Sequence, residues 1–166
     1  SRTMYFGIGG HPGFIVPLEE NRKFEDYRID FGGEVIPQRV NMSEDCFVME
    51  GEKSLELEEG RYLNLRHNLF DHDAIILKDM PRQVRINRAG GDEEITLTFP
   101  KMNYLGIWHR PFKTPNYVCV EPWSSLPSRK GIVEDLEKQP GLISLESGKT
   151  YQNSWSITIS TPQNRK

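Results

Sequence analysis

Two stretches of this sequence carry side chains suited to moving protons. The first is Met4-Tyr5-Phe6-Gly7-Ile8-Gly9-Gly10-His11-Pro12-Gly13-Phe14, where a short apolar run delivers one histidine into a turn of glycines and a proline. Histidine has an ordinary pKa of ~6.5, so it can both donate and accept protons near neutrality. Pro12 turns Gly10-His11 away from helical geometry, and glycine permits backbone conformations and close approaches closed to other residues. His11 is therefore expected at a strand end, as an active-site acid or, more plainly, as the packed histidine of a glycine-rich turn. The second stretch is Tyr117-Val118-Cys119-Val120-Glu121-Pro122-Trp123, whose alternation puts Val118 and Val120 on one face and Cys119 and Glu121 on the other. Pro122 has no N–H for a ladder, so the strand is expected to end there, with Glu121 at a rim beside Trp123. A carboxyl desolvated by an aromatic neighbour rises in pKa and can act as a general base, while the indole can stack on an apolar ring face. The plainer reading is an ordinary strand-end glutamate.

A third stretch, His67-Asn68-Leu69-Phe70-Asp71-His72-Asp73, holds two histidines and two aspartates. In an extended segment Asp71 and Asp73 face one way and His72 the other, so the set does not converge on a metal. Asp71 suits hydrogen bonding better, since a fixed carboxylate accepts from two hydroxyls at once; a solvated polar loop is the alternative. Cys46 and Cys119 are far apart and lack metal-type spacing, so neither a disulfide framework nor a zinc site is expected, and a reducing cytoplasm is the expected setting. The glycine-rich turn is not a dinucleotide loop, because its third glycine is displaced and no helix follows. Arg82, Arg85 and Arg88 form a loose basic group that a strand would spread over both faces, a weak basis for phosphate recognition.

The elements that must position these residues are strands. Alternation with period two marks Tyr27/Ile29/Phe31, Leu55/Leu57, Leu63/Leu65, Ile95/Leu97/Phe99 and Trp155/Ile157/Ile159. Glycine clusters at Gly32-Gly33, Glu59-Gly60, Gly90-Gly91 and Ser147-Gly148 separate them as turns. The one helix candidate is Ile132 to Lys138, stopped by Gln139-Pro140-Gly141, and Asn164-Arg165-Lys166 reads as a frayed tail. Without repeated strand-helix alternation, the expected fold is all-β, an antiparallel sandwich or barrel forming a single domain over residues 1–166. A net charge of −3 with no basic stripe argues against nucleic acid as a partner. No apolar run approaches a membrane span, so no membrane partner is expected.

Taken in order, Gly9-Gly10-His11-Pro12-Gly13-Phe14, Phe70-Asp71-His72-Asp73 and Cys119-Val120-Glu121-Pro122-Trp123 resemble the aldose 1-epimerase (galactose mutarotase) family, above all its LacX-like branch. Pro140-Gly141-Leu142-Ile143-Ser144-Leu145-Glu146-Ser147-Gly148-Lys149-Thr150 is similar to the turn before that family's last strand. The resemblance implies an antiparallel β-supersandwich, of which this chain is the C-terminal part, and cofactor-free interconversion of the α and β anomers of a free hexose. It implies that His11 protonates the ring oxygen, that Glu121 is the base on the anomeric hydroxyl and that Asp71 holds a sugar hydroxyl. No metal is implied. Acid and base are expected on opposite sides of the hemiacetal, with Trp108 and Trp123 lining the sugar cleft. The expected partners are the monosaccharide and the N-terminal half of the same protein as a separate chain, without which apolar sheet faces and edges would lie open. His11-Pro12-Gly13-Phe14 departs from the His-x-Tyr-Phe-Asn form of other mutarotases, which leaves the sugar open. The alternatives are a carbohydrate-binding or sensing module without turnover and a hexose-6-phosphate 1-epimerase.

Overall fold

A computed structural model describes residues 2–161, so the tail Asn164-Arg165-Lys166 lies outside the described residues. The strands in chain order are β1 Met4–Phe6, β2 Gly13–Ile15, β3 Tyr27–Asp30, β4 Gln38–Met42, β5 Val48–Ser54, β6 Tyr62–Asn64, β7 Ile75–Lys78, β8 Gln83–Arg88, β9 Glu94–Thr98, β10 Tyr104–Trp108, β11 Tyr117–Trp123, β12 Ile143–Leu145 and β13 Ser156–Ser160. One sheet runs β2-β11-β10-β7-β4-β5 and a second runs β13-β9-β8-β3-β6, while β1 and β12 form a short ribbon. The pairings between strands are antiparallel.

Alternation decides which face of each sheet is apolar. Ile29, Leu63, Val84, Ile86 and Leu97 of the second sheet share one core with Phe14, Leu77, Leu105, Ile107, Val118 and Val120 of the first. Fully burying a side chain such as Leu105 or Ile107 stabilises the fold by ~1.5–3 kcal/mol. The opposite face of the six-stranded sheet is covered as well, since Ile76, Cys119 and Glu121 are buried yet stand outside that core. Strand β11 is thus enclosed on both faces over Val118 to Pro122, and its polar residues sit where water is scarce.

Three sequence expectations need correction. Residues Ile132 to Lys138 are not helical; a single turn closes where the Lys138 and Gln139 N–H groups both donate to the Asp135 carbonyl. Its apolar positions have no face to pack on, with Val133 fully exposed and Ile132 and Leu136 largely so. Leu55 and Leu57 follow β5 rather than continue it, packing against the core from a loop. Strand β11 does not stop at Pro122 but runs through it to Trp123. The Pro122 carbonyl accepts from the Gly10 N–H, so the nitrogen that lacks a proton faces the glycine loop and the ladder to β10 loses nothing.

The arginine group is structural. Arg88 pairs with Glu19, Arg85 lies near Asp30 and Glu94, and Arg82 donates to Asn103. Asp30, buried at the end of β3, receives two hydrogen bonds from Arg61 at 2.6 and 2.7 Å and one from the Gly32 N–H at 2.7 Å. Burial opposes its ionisation, but these donors outweigh that and hold its carboxyl below the usual range.

Candidate functional site

The glycine loop is zipped to β11 on the side away from β10. Gly13 pairs with Cys119 and Gly9 with Trp123, and the same register puts His11 directly opposite Glu121. The Gly10 N–H donates to the Pro122 carbonyl and the Val120 N–H to the Pro12 carbonyl, so the main chain is fastened on either side of His11. Farther out, the Ser124 N–H donates to the Ile8 carbonyl, and the Ile8 N–H donates to Ser124 Oγ. His11 Nε2 consequently lies 3.3 Å from Glu121 Oε1. The two groups stand side by side, not across a ring from one another as the sequence reading expected.

Glycine serves this loop through close approach. A Cβ at Gly9 would stand 2.7 Å from Trp123 Cδ1 and 3.1 Å from the Pro122 carbonyl oxygen, and one at Gly10 would stand 2.8 Å from Trp155 Cζ2. Neither residue has positive φ, so the conformational freedom anticipated from sequence is not used here. Gly106, paired with Glu121 on β10, keeps the floor low, where a Cβ would meet the Trp123 ring at 3.2 Å.

The side chains differ in their access to water. His11 is 62% exposed and Glu121 only 5%. Burial pushes the Glu121 carboxyl above the usual range and the Asp73 charge adds to this, while His11 and the Trp123 indole pull it back. Trp108 faces the pair from β10, where it is opposite Cys119. Its ring meets the His11 ring edge to face at 5.9 Å, and its Nε1–H donates to Asp73 Oδ1 at 2.7 Å.

The third predicted stretch folds differently from the extended segment expected of it. His67–Phe70 is a 3-10 turn, Asp71 is helical in backbone and Asp73 has a φ of 68°, so alternation does not describe which way its side chains face. Asp71, His72 and Asp73 all line a cleft of about 750 Å³ together with Trp123 and Ile76. A smaller cleft of about 440 Å³ is lined by His11 and the Gly7-Ile8-Gly9-Gly10 loop, and the two clefts share Trp123 and Pro127. His11, Glu121, Trp108 and Trp123 are assembled as one group, with Asp71 placed farther along the larger cleft; of the two indoles expected to line the cleft only Trp123 does, since the Trp108 ring is engaged by Asp73 and His11. Asp73, passed over in the sequence, is the carboxylate that reaches this group, and its signal was the same acidic stretch read one turn differently. His67 is directed elsewhere. The buried His109 donates from Nδ1 to the Arg110 carbonyl, so its Nε2 accepts from His67 Nδ1 at 3.1 Å, and His67 Nε2 lies 3.5 Å from Glu25.

Comparison with known proteins agrees with this fold. No family model matches the sequence. The plasmid and chromosomal LacX proteins of Lactococcus lactis subsp. lactis are each 31% identical over 161 residues, which is 95% of this chain and 53% of theirs. A galactose mutarotase related enzyme from Lactobacillus acidophilus superposes with a TM-score of 0.85 at 29% identity, over 96% of this chain and 53% of its own. A galactose mutarotase-like protein from Lactobacillus casei gives 0.74 at 25%, over 97% and 54%. The chain spans about half the length of the relatives it matches, and over that half its all-β architecture is that of galactose mutarotase-like proteins.

Proposed function

We propose that this chain carries the acid and base of an aldose 1-epimerase, which interconverts the α and β anomers of a free hexose. The observation that carries the reading is the His11–Glu121 pair, held 3.3 Å apart by strand register beside a cleft that His11 and Trp123 line. Anomer exchange needs a proton delivered to the ring oxygen while another leaves the anomeric hydroxyl. Those two oxygens are bonded to the same carbon, so adjacent acid and base reach both at once. Glu121 takes the hydroxyl proton as the carbonyl forms and the bond from the anomeric carbon to the ring oxygen breaks, and His11 gives its proton to the ring oxygen. Rotation about the C1–C2 bond then presents the other carbonyl face, and the same two transfers run in reverse. Every atom and proton is returned, so the residues themselves suffice for the reaction.

Trp123 suits the apolar face of the pyranose, Trp108 fixes the His11 ring, and Asp71 on the cleft wall is placed to accept from sugar hydroxyls. In the same proposal the rest of the cleft comes from an N-terminal half, and the setting is the cytoplasm, where free Cys46 and Cys119 stay reduced. Among the described residues no helix is long and apolar enough to cross a membrane.

Polarimetry on the complete protein tests the reading. Freshly dissolved α-glucose or α-galactose should relax to its equilibrium rotation faster in its presence. Sugar binding without acceleration would favour a binding module, and acceleration confined to 6-phosphorylated sugars would favour the phosphate-specific alternative.

A further inference from the structure

Cys119 has no part in the acid-base chemistry, yet it lies in the site. It is on the same face of β11 as Glu121, directly opposite Trp108 on β10 and Gly13 on β2, and it is buried outside the apolar core. Gly13 puts no side chain against the thiol, and a Cβ there would stand 3.5 Å from Sγ. One ligand atom from each of His11, Cys119 and Glu121 lies within 4.8 Å of the other two.

We propose that His11, Cys119 and Glu121 form a site for a zinc-type divalent cation, and that occupancy of this site and proton transfer exclude each other. Zn²⁺ is borderline-soft and binds histidine nitrogen, thiolate sulfur and carboxylate oxygen at ~2.0–2.3 Å, commonly as three protein ligands with one open position. His11, with its exposed side chain, can adjust toward the cation, while Cys119 and Glu121 stand two residues apart on one strand. The thiol proton leaves to solvent as the thiolate–metal bond forms, with no change of oxidation state. The binding half of the proposal stands on geometry alone; the inhibitory half rests on His11 and Glu121 being the acid and base. Sequence spacing could not reveal the set, because His11 joins it only through the β2–β11 register.

The test is a titration of the complete, chelator-dialysed protein with Co²⁺, followed by displacement with Zn²⁺. One equivalent should give a thiolate-to-cobalt charge-transfer band in the near ultraviolet, which Zn²⁺ abolishes. Cys119→Ser should lose the band and weaken Zn²⁺ binding at least ten-fold, whereas Cys46→Ser should keep both. In parallel, Zn²⁺ should suppress mutarotation in the unmodified protein, and the fraction of its own metal-free rate that Cys119→Ser loses to Zn²⁺ should be far smaller. A band absent at one equivalent, or one that persists in Cys119→Ser and vanishes in Cys46→Ser, overturns the site. A band that behaves as expected in a protein with no mutarotation keeps the metal site and rejects the epimerase reading instead.

Discussion

At the scale of single residues, burial is what suits Glu121 to the proposed role of base. A carboxyl pushed above its ordinary value of ~4.3 is a stronger base once ionised, and the adjacent His11 favours that ionised form. The sign of the pH effect follows. As the proposed base Glu121 must be ionised, so activity should be lost as pH falls through the raised pKa. The acidic limb of kcat/KM, measured with chelator present, should therefore lie above the ordinary carboxylate range; a limb at or below ~4.3 would show that the buried carboxyl is not the base. The same shift acts oppositely on stability. Protonated Glu121 suits the buried position, so its contribution is complete below the unfolded-state value and fades as pH rises through the folded one. Asp73 holds the Trp108 indole, and Trp108→Phe, which keeps the ring but loses the 2.7 Å hydrogen bond, should lower kcat while changing sugar affinity little. A rise in KM with unchanged kcat would make Trp108 a sugar platform instead. The chemical types of these residues were legible in the sequence, but the direction Asp73 takes was not, because its positive φ belongs to the turn rather than to any local alternation.

At the scale of elements, the site is a consequence of strand register. His11 and Glu121 are far apart in sequence, and nothing near either one requires them to meet; the pairing of the glycine loop with β11 does. The strands around it could be read from alternation, since a buried sheet face imposes period two on Ile29, Leu63, Ile95 and Leu97. Pro122 misled because its effect depends on which neighbour its nitrogen faces, a fact of pairing that one strand's sequence does not contain. Ile132 to Lys138 misled because helical spacing without a surface to bury against does not make a helix. Gly9→Ala tests the register argument. Its Cβ would collide with Trp123 and with the Pro122 carbonyl, so the loop must lift from β11 and carry His11 off Glu121. Mutarotation should fall at least ten-fold, with a stability loss of ~1–3 kcal/mol by denaturant titration. Wild-type activity in this variant would show that the loop does not set the distance.

At the scale of the whole molecule, the two sheets share a core on one side, but apolar surface is left open elsewhere. Ile15 on β2 is 74% exposed, Ile159 on β13 is 64% exposed, and both strands are sheet edges. Exposed apolar edges of this kind suit pairing with further chain, in keeping with a polypeptide that spans half the length of its relatives. Residues 1–166 expressed alone should bind a hydrophobic dye and unfold without a sharp transition, and adding the N-terminal half should remove the dye signal. A monomeric, cooperative and dye-silent chain would mean a self-contained sandwich.

The central claim, that His11 and Glu121 exchange the protons of anomer interconversion, is tested most directly by steady-state mutarotation of the complete protein carrying His11→Asn or Glu121→Gln. Both substitutions keep a hydrogen-bonding shape and remove the proton transfer, so each should lower kcat by ~10²- to 10⁴-fold while sugar affinity changes little. Either variant retaining most of the rate on the best sugar would contradict the assignment of that residue.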